Sequence, residues 1–147
     1  MKIVIQRVKS AKVTVSKFTA AEIGHGLLLL VGIARGDGQQ DINKLVKKVL
    51  NLRIFEDEQG KMNLDVTQVG GSILSVSQFT LHADTKKGNR PSFVMAEEPH
   101  KAKGIWKDFN DALTKEGLNV KAGVFSAHMD VHLVNDGPVT IILDSRS

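Results

Sequence analysis

The sequence predicts an α+β fold: one domain over residues 1–147, with a curved, barrel-like sheet of antiparallel and mixed strands backed by two main helices. Three observations lead there. Short segments that alternate apolar and polar residues recur along the chain, whereas only two segments carry the 3.6-residue apolar period of a helix. Those two are widely separated, without the regular strand–helix alternation of a parallel α/β sheet. At 147 residues the chain can bury one sizeable core and is short for two ordinary domains.

Taken in order, Ile3, Ile5 and Val8, then Val13 and Val15, alternate with polar residues and predict two antiparallel strands at 2–9 and 11–15. Residues 20–33 supply one or two more around Gly24 and Gly26, and the apolar run from Leu27 to Ile33 suits a central strand. The period then changes. Ile42, Leu45, Val46, Val49 and Leu50 form a helical stripe, with Asp37 or Asp41 as its N-cap. Arg53-Ile54-Phe55 runs into a polar turn at 56–60. Ser72 to His82 reads as a buried strand whose carboxyl end carries Ser77, Gln78 and Thr80; if buried, each of these polar groups needs a partner, at about 1–3 kcal/mol when it lacks one. The second helix starts with Pro99 in its first turn, presents Ala102, Ile105, Trp106, Phe109 and Leu113 to the core, and stops before Gly117. Residues 119–125, 129–134 and 139–143 read as strands, and Asn135-Asp136-Gly137-Pro138 as a tight turn between the last two.

Composition excludes several chemistries. With no cysteine there is no thiol nucleophile, disulfide or thiolate metal site. Met1 to Arg7 alternates and is charged, unlike the apolar centre of a signal peptide, and no run reaches membrane-spanning length. A cytoplasmic protein without a membrane partner is expected. The net charge of +4 permits a polyanionic partner without requiring one. Its densest basic cluster, Lys86-Lys87-Gly88-Asn89-Arg90, is either a solvated loop or a phosphate-contacting one. His128, Asp130 and His132 share a strand face, but successive side chains there stand roughly 7 Å apart, so a shared ion needs ligands from elsewhere and no metal is expected. His82 with Ser77 and Asp84 offers the residue types of a catalytic triad, yet Val76-Ser77-Gln78 lacks the glycine-flanked elbow of a serine esterase.

Ser77-Gln78-Phe79-Thr80-Leu81, taken with Asn135-Asp136-Gly137-Pro138-Val139-Thr140, resembles the paired motifs of the D-aminoacyl-tRNA deacylases, also called D-tyrosyl-tRNA deacylases. The similarity continues through Arg53-Ile54-Phe55, Lys61-Met62-Asn63 and Gly88 to Phe93, so it covers the whole chain. It implies a homodimer with a barrel-like sheet and an active site at the subunit interface. The implied reaction is hydrolysis of the ester between a D-amino acid, or glycine mischarged on tRNA-Ala, and the 3′-terminal adenosine of tRNA. No cofactor and no DNA partner are implied.

By that resemblance the backbone amides at Phe79 and Thr80 face the developing oxyanion. Thr80 sits where a nucleophile has been proposed, but no base adjoins it. Our reading has Thr80 and Gln78 orient the ester, with Ser77 a further catalytic candidate beside them, while the adenosine 2′-hydroxyl assists a water. Gly137-Pro138, with a cis bond, would enter from the partner subunit as a chiral filter: a wall beside Cα excludes an L side chain by clash and lets glycine through. Arg7 matches a position that braces this motif. Phe125 and Met129 match the lining of the adenosine pocket, with Lys86, Lys87 and Arg90 as tRNA contacts. One departure stands out: relatives usually carry glycine where this chain has Ser126. The rival readings are a non-catalytic tRNA-binding module of the same fold and a small-molecule esterase that needs no RNA.

Overall fold

The computed structural model describes residues 1–147. Its first element, β1 (Lys2–Val15), is one strand where two are expected. No glycine or proline interrupts residues 9–12, so the chain bulges near Lys9 instead of breaking. Along one edge β1 pairs antiparallel with β2 (Phe18–Ile23) through residues 11–15 and with β3 (Gly26–Gly32) through residues 2–8. Its other edge carries β8 (Asp130–Asp144). β3 then pairs in parallel with β6 (Ser72–Ser77), and β6 with β7 (Asn119–Ala122). Gly26 is required where β3 meets β6, because a Cβ there would lie 1.9 Å from the Ser72 carbonyl oxygen. A small hairpin, β4 (Phe55–Glu56) and β5 (Met62–Leu64), stands apart.

Helices α1 (Gln39–Asn51) and α2 (Pro99–Lys115) cover one face of the sheet. Ile42, Leu45 and Val49 from α1 join Trp106, Phe109 and Leu113 from α2 against Leu27, Leu29 and Val31 of β3. The intervening Leu28 faces the other way, into a second cluster with Val8, Val13, Leu74 and Val76 inside the curl of the sheet. β3 is thus apolar on both faces because both are covered. Trp106 is core, as expected, and its Nε1–H donates to the buried Ser75 Oγ at 2.9 Å.

Helix starts differ in detail from expectation. Gly38 is the N-cap of α1, and Asp41 accepts the Gly38 N–H at 2.9 Å from inside the first turn. Asp37 is drawn elsewhere: it accepts the Ala34 N–H at 2.6 Å and pairs at 2.7 Å with the buried α-ammonium of Met1. α2 ends as expected. Gly117, at φ +92°, donates to the Thr114 carbonyl and Leu118 to that of Leu113, closing the last turn.

Three strand boundaries also move. β6 stops at Ser77, and Phe79–His82 forms a single 3₁₀ turn. β7 ends at Ala122, before Phe125. Most consequentially, residues 135–138 are no turn between strands. Asn135 pairs with Val8 and Thr140 with Gln6, so residues 136–139 of β8 bulge out opposite Arg7 alone. A turn would have reversed the chain, whereas here both arms continue along the same partner strand. No helix is long and apolar enough to cross a membrane.

Candidate active site

A cleft of about 610 Å³ opens where the carboxyl ends of β3 and β6 meet the start of α2 and the segment between β7 and β8. The end of β6 brings Ser77, Gln78 and Phe79 to it; the segment before β8 brings Phe125, Ser126, His128 and Met129; Arg35, Glu97 and Glu98 form part of the wall. The 3₁₀ turn matters chemically. In such a turn hydrogen bonds run from residue i+3 back to residue i, so the first amides, those of Phe79 and Thr80, have no carbonyl within the turn to engage. Gln78 Nε2 donates to Thr80 Oγ1 at 2.6 Å, which fixes both side chains at the turn. The Phe79 ring is half exposed and lies edge-on to Phe93, with centroids 5.1 Å apart. Across the cleft, the Phe125 ring rests 5.8 Å from that of Trp106.

Ser126 adopts φ +61°, the left-handed region. This is the conformation that glycine takes without penalty, and a serine held there costs roughly 1–2 kcal/mol. In the wall, the Glu98 amide at 2.9 Å, and then the Lys101 ammonium at 3.0 Å, hold the Glu97 carboxyl below its ordinary value.

Gly137 and Pro138 sit in the bulge of β8, at its exposed outer side, and do not line this chain's own cleft. Their peptide bond is cis, and Gly137 takes φ +128°. Arg7 lies beneath, 4% exposed. Its Nη1 donates to the Ile54 carbonyl at 2.6 Å and its Nε to the Asp136 carbonyl at 3.0 Å, with the Asp136 carboxylate at 3.5 Å. The guanidinium therefore ties the base of the bulge to the segment leading into β4.

Of the remaining candidates only His128 lines the cleft. Lys86, Lys87 and Arg90 ride on an exposed loop pinched at its base by the mutual backbone bonds of Asp84 and Ser92. His82 turns its Nε2 inward, toward Gly32, and this atom bonds neither Ser77 nor Asp84, so no triad forms. His128, Asp130 and His132 make no three-ligand group; His132 Nε2 lies 3.4 Å from Thr14 Oγ1. Sequence reasoning passed over Arg35, Glu97 and Glu98, since Glu97-Glu98-Pro99 reads only as the start of a helix and Arg35 as a solvated loop residue.

Comparison with known proteins bears on the family and the fold. The family model described as D-Tyr-tRNA(Tyr) deacylase matches residues 4–144. A D-aminoacyl-tRNA deacylase of Bifidobacterium animalis subsp. lactis (strain AD011) is 56% identical, over 99% of this chain and 98% of that protein. One of Staphylococcus carnosus (strain TM300) is 53% identical, over 99% and 97%. Among solved structures, a c-Myc DNA Unwinding Element Binding Protein matches with TM-score 0.92 at 44% identity, covering 98% of both chains. A probable eukaryotic D-amino acid tRNA deacylase matches with TM-score 0.84 at 14% identity, covering 97% of both, a likeness of fold alone. Because the match runs from β1 through the 3₁₀ turn to the end of β8, at more than half identity with full-length relatives, the chain belongs to the D-Tyr-tRNA(Tyr) deacylase family.

Proposed function

We propose that this chain hydrolyses the ester of D-aminoacyl-tRNA, releasing the free D-amino acid and tRNA, and that it spares the L-ester. The chain is a hydrolase of the aminoacyl-tRNA ester bond. The observation that supports the reading is the 3₁₀ turn at the end of β6, whose first amides, those of Phe79 and Thr80, have no partner within the turn; Phe79 lines the cleft and Thr80 follows it in the chain. Donors aimed at the carbonyl oxygen stabilise the charge that develops there, usually the largest single contribution to catalysis of acyl transfer. Thr80 is no nucleophile in this scheme. Its oxygen already accepts from Gln78, and no base adjoins it. Its hydroxyl orients the ester with Gln78 and Ser77, while the 2′-hydroxyl of the terminal adenosine assists a water.

Phe125 and Met129 offer the adenosine a ring and a thioether. Lys86, Lys87 and Arg90 then meet the RNA beyond the cleft. Gly137-Pro138 filters chirality from a second copy, because its own bulge stands away from its own cleft. Arg7 holds that bulge in place. A filter made of backbone hardly reads side chains, so varied D-residues and glycine on tRNA-Ala are accepted. Aminoacyl-tRNA as substrate puts the work in the cytoplasm.

The test is to incubate the protein with D-tyrosyl-tRNA and L-tyrosyl-tRNA in the presence of chelator and to follow amino acid release. Loss of the D-ester alone is expected. If tRNA is bound and neither ester turns over, the protein is a tRNA-binding module and the enzymatic reading fails.

A further inference from the structure

The wall of the cleft carries one permanent cation, Arg35. Its backbone is fixed, since its N–H donates to the Met95 carbonyl at 2.9 Å and the adjoining Ala34 bridges Ala96. Its side chain is loose. The side chain is 56% exposed, with Nε 3.4 Å from the Ala96 carbonyl and Nη2 3.8 Å from the carboxylate of Glu98, whose side chain is itself 73% exposed. A solvated pair at that distance contributes little to stability, so leaving it costs little. Glu97, the other carboxylate of the wall, is already engaged by Lys101 at 3.0 Å. The 5′-phosphodiester of a nucleotide seated in the cleft continues into the RNA and leaves past the wall, of which the exposed Arg35 is part. The planar guanidinium fits two phosphate oxygens at once. Lys86, Lys87 and Arg90 do not line the cleft, which leaves Arg35 as the cation of its wall.

We propose that Arg35 swings from Glu98 to the phosphodiester that joins the terminal nucleotide to the rest of the RNA. The identity of the ligand rests on the deacylase reading; the phosphate site itself does not depend on ester turnover. The contact is equal in ground and transition states, so it acts on binding and leaves the chemical step alone.

Uncharged tRNA is titrated against the wild-type protein, Arg35→Gln, Glu98→Gln and the distant control Lys47→Gln across a salt series. Arg35→Gln should weaken binding roughly tenfold at low salt, and the slope of log K against log salt should shrink by about 0.7, one single-strand phosphate contact. Glu98→Gln should tighten binding by removing the competing carboxylate. Lys47→Gln should match the wild type. In turnover of D-tyrosyl-tRNA, Arg35→Gln should raise KM and leave kcat unchanged. Wild-type affinity and slope in Arg35→Gln, or an equal loss in Lys47→Gln, overturns the proposal. If the slope depends on Arg35 but no ester is hydrolysed, the phosphate site stands and the deacylase reading falls; normal turnover with an unaltered slope means the reverse.

Discussion

At the scale of single residues, Thr80 and Ser126 separate chemistry from shape. The Gln78 amide donates to the Thr80 oxygen, a contact that supports the proposed role of this threonine as an orienter of the ester over that of a nucleophile. Thr80→Ala should keep most of the activity, with kcat/KM within roughly tenfold of wild type, about 1.4 kcal/mol of transition-state stabilisation. Complete loss in a steady-state assay would restore the nucleophile. Ser126 was legible as a departure from glycine, but only backbone angles reveal what the departure costs. Ser126→Gly removes the left-handed penalty and returns part of the gain as extra freedom of the unfolded chain. A net stabilisation of about 1 kcal/mol is expected from urea unfolding; a destabilised glycine variant would mean that the serine hydroxyl itself supports the loop.

At the scale of elements, what the sequence discloses depends on whether an element is defined by itself or by a neighbour. The two helices are locally determined, and their apolar stripes match the buried faces found: Ile42, Leu45 and Val49 in one, Ala102, Trp106 and Phe109 in the other. The length of β8 is not, because Asn135-Asp136-Gly137-Pro138 has turn chemistry and only the shared partner β1 makes it a bulge. That bulge has little slack. A Cβ on Gly137 would lie 2.9 Å from Val139 Cγ2 and 3.2 Å from Arg7 Nη2, at a φ that L-residues rarely adopt. Gly137→Ala should therefore displace the filter and let L-tyrosyl-tRNA be hydrolysed; unchanged stereoselectivity would separate the bulge from chiral selection.

Capping tells a similar story in α1. Burial alone would raise the Asp41 carboxyl, but hydrogen bonds from Ser145 and the Gly38 amide overcome it and hold the group below its ordinary 3.8. A depressed pKa stabilises the fold above the unfolded value and loses that contribution as pH falls through the folded one. Asp41→Asn should thus cost about 1 kcal/mol near neutral pH, and the difference should shrink below about pH 4 in paired thermal melts. A gap that persists into stronger acid would assign the cost to packing.

At the scale of the whole molecule, the cleft and the Gly137-Pro138 bulge of one chain do not meet, and this separation is what local sequence patterns could not disclose. The chain order of both motifs was readable; the side of the sheet on which each lands follows from long-range pairing of β8 with β1. β8 also exposes Val134 and Ile142, at 53% and 70%, on either side of the bulge, apolar surface that a second copy would cover. If the filter acts across such an interface, mixed dimers give a direct readout. Gly137→Ala chains, with an intact cleft and a displaced filter, hydrolyse the L-ester by the argument above. Adding an excess of Met129→Trp chains, whose cleft is blocked but whose filter is intact, should place a working filter over each open cleft. L-ester turnover should then fall toward zero while D-ester turnover persists. Were each chain to filter its own cleft, L-ester turnover would stay constant however much of the second chain was added, even with mixed dimers demonstrated by native mass spectrometry, and the trans arrangement would have to be given up.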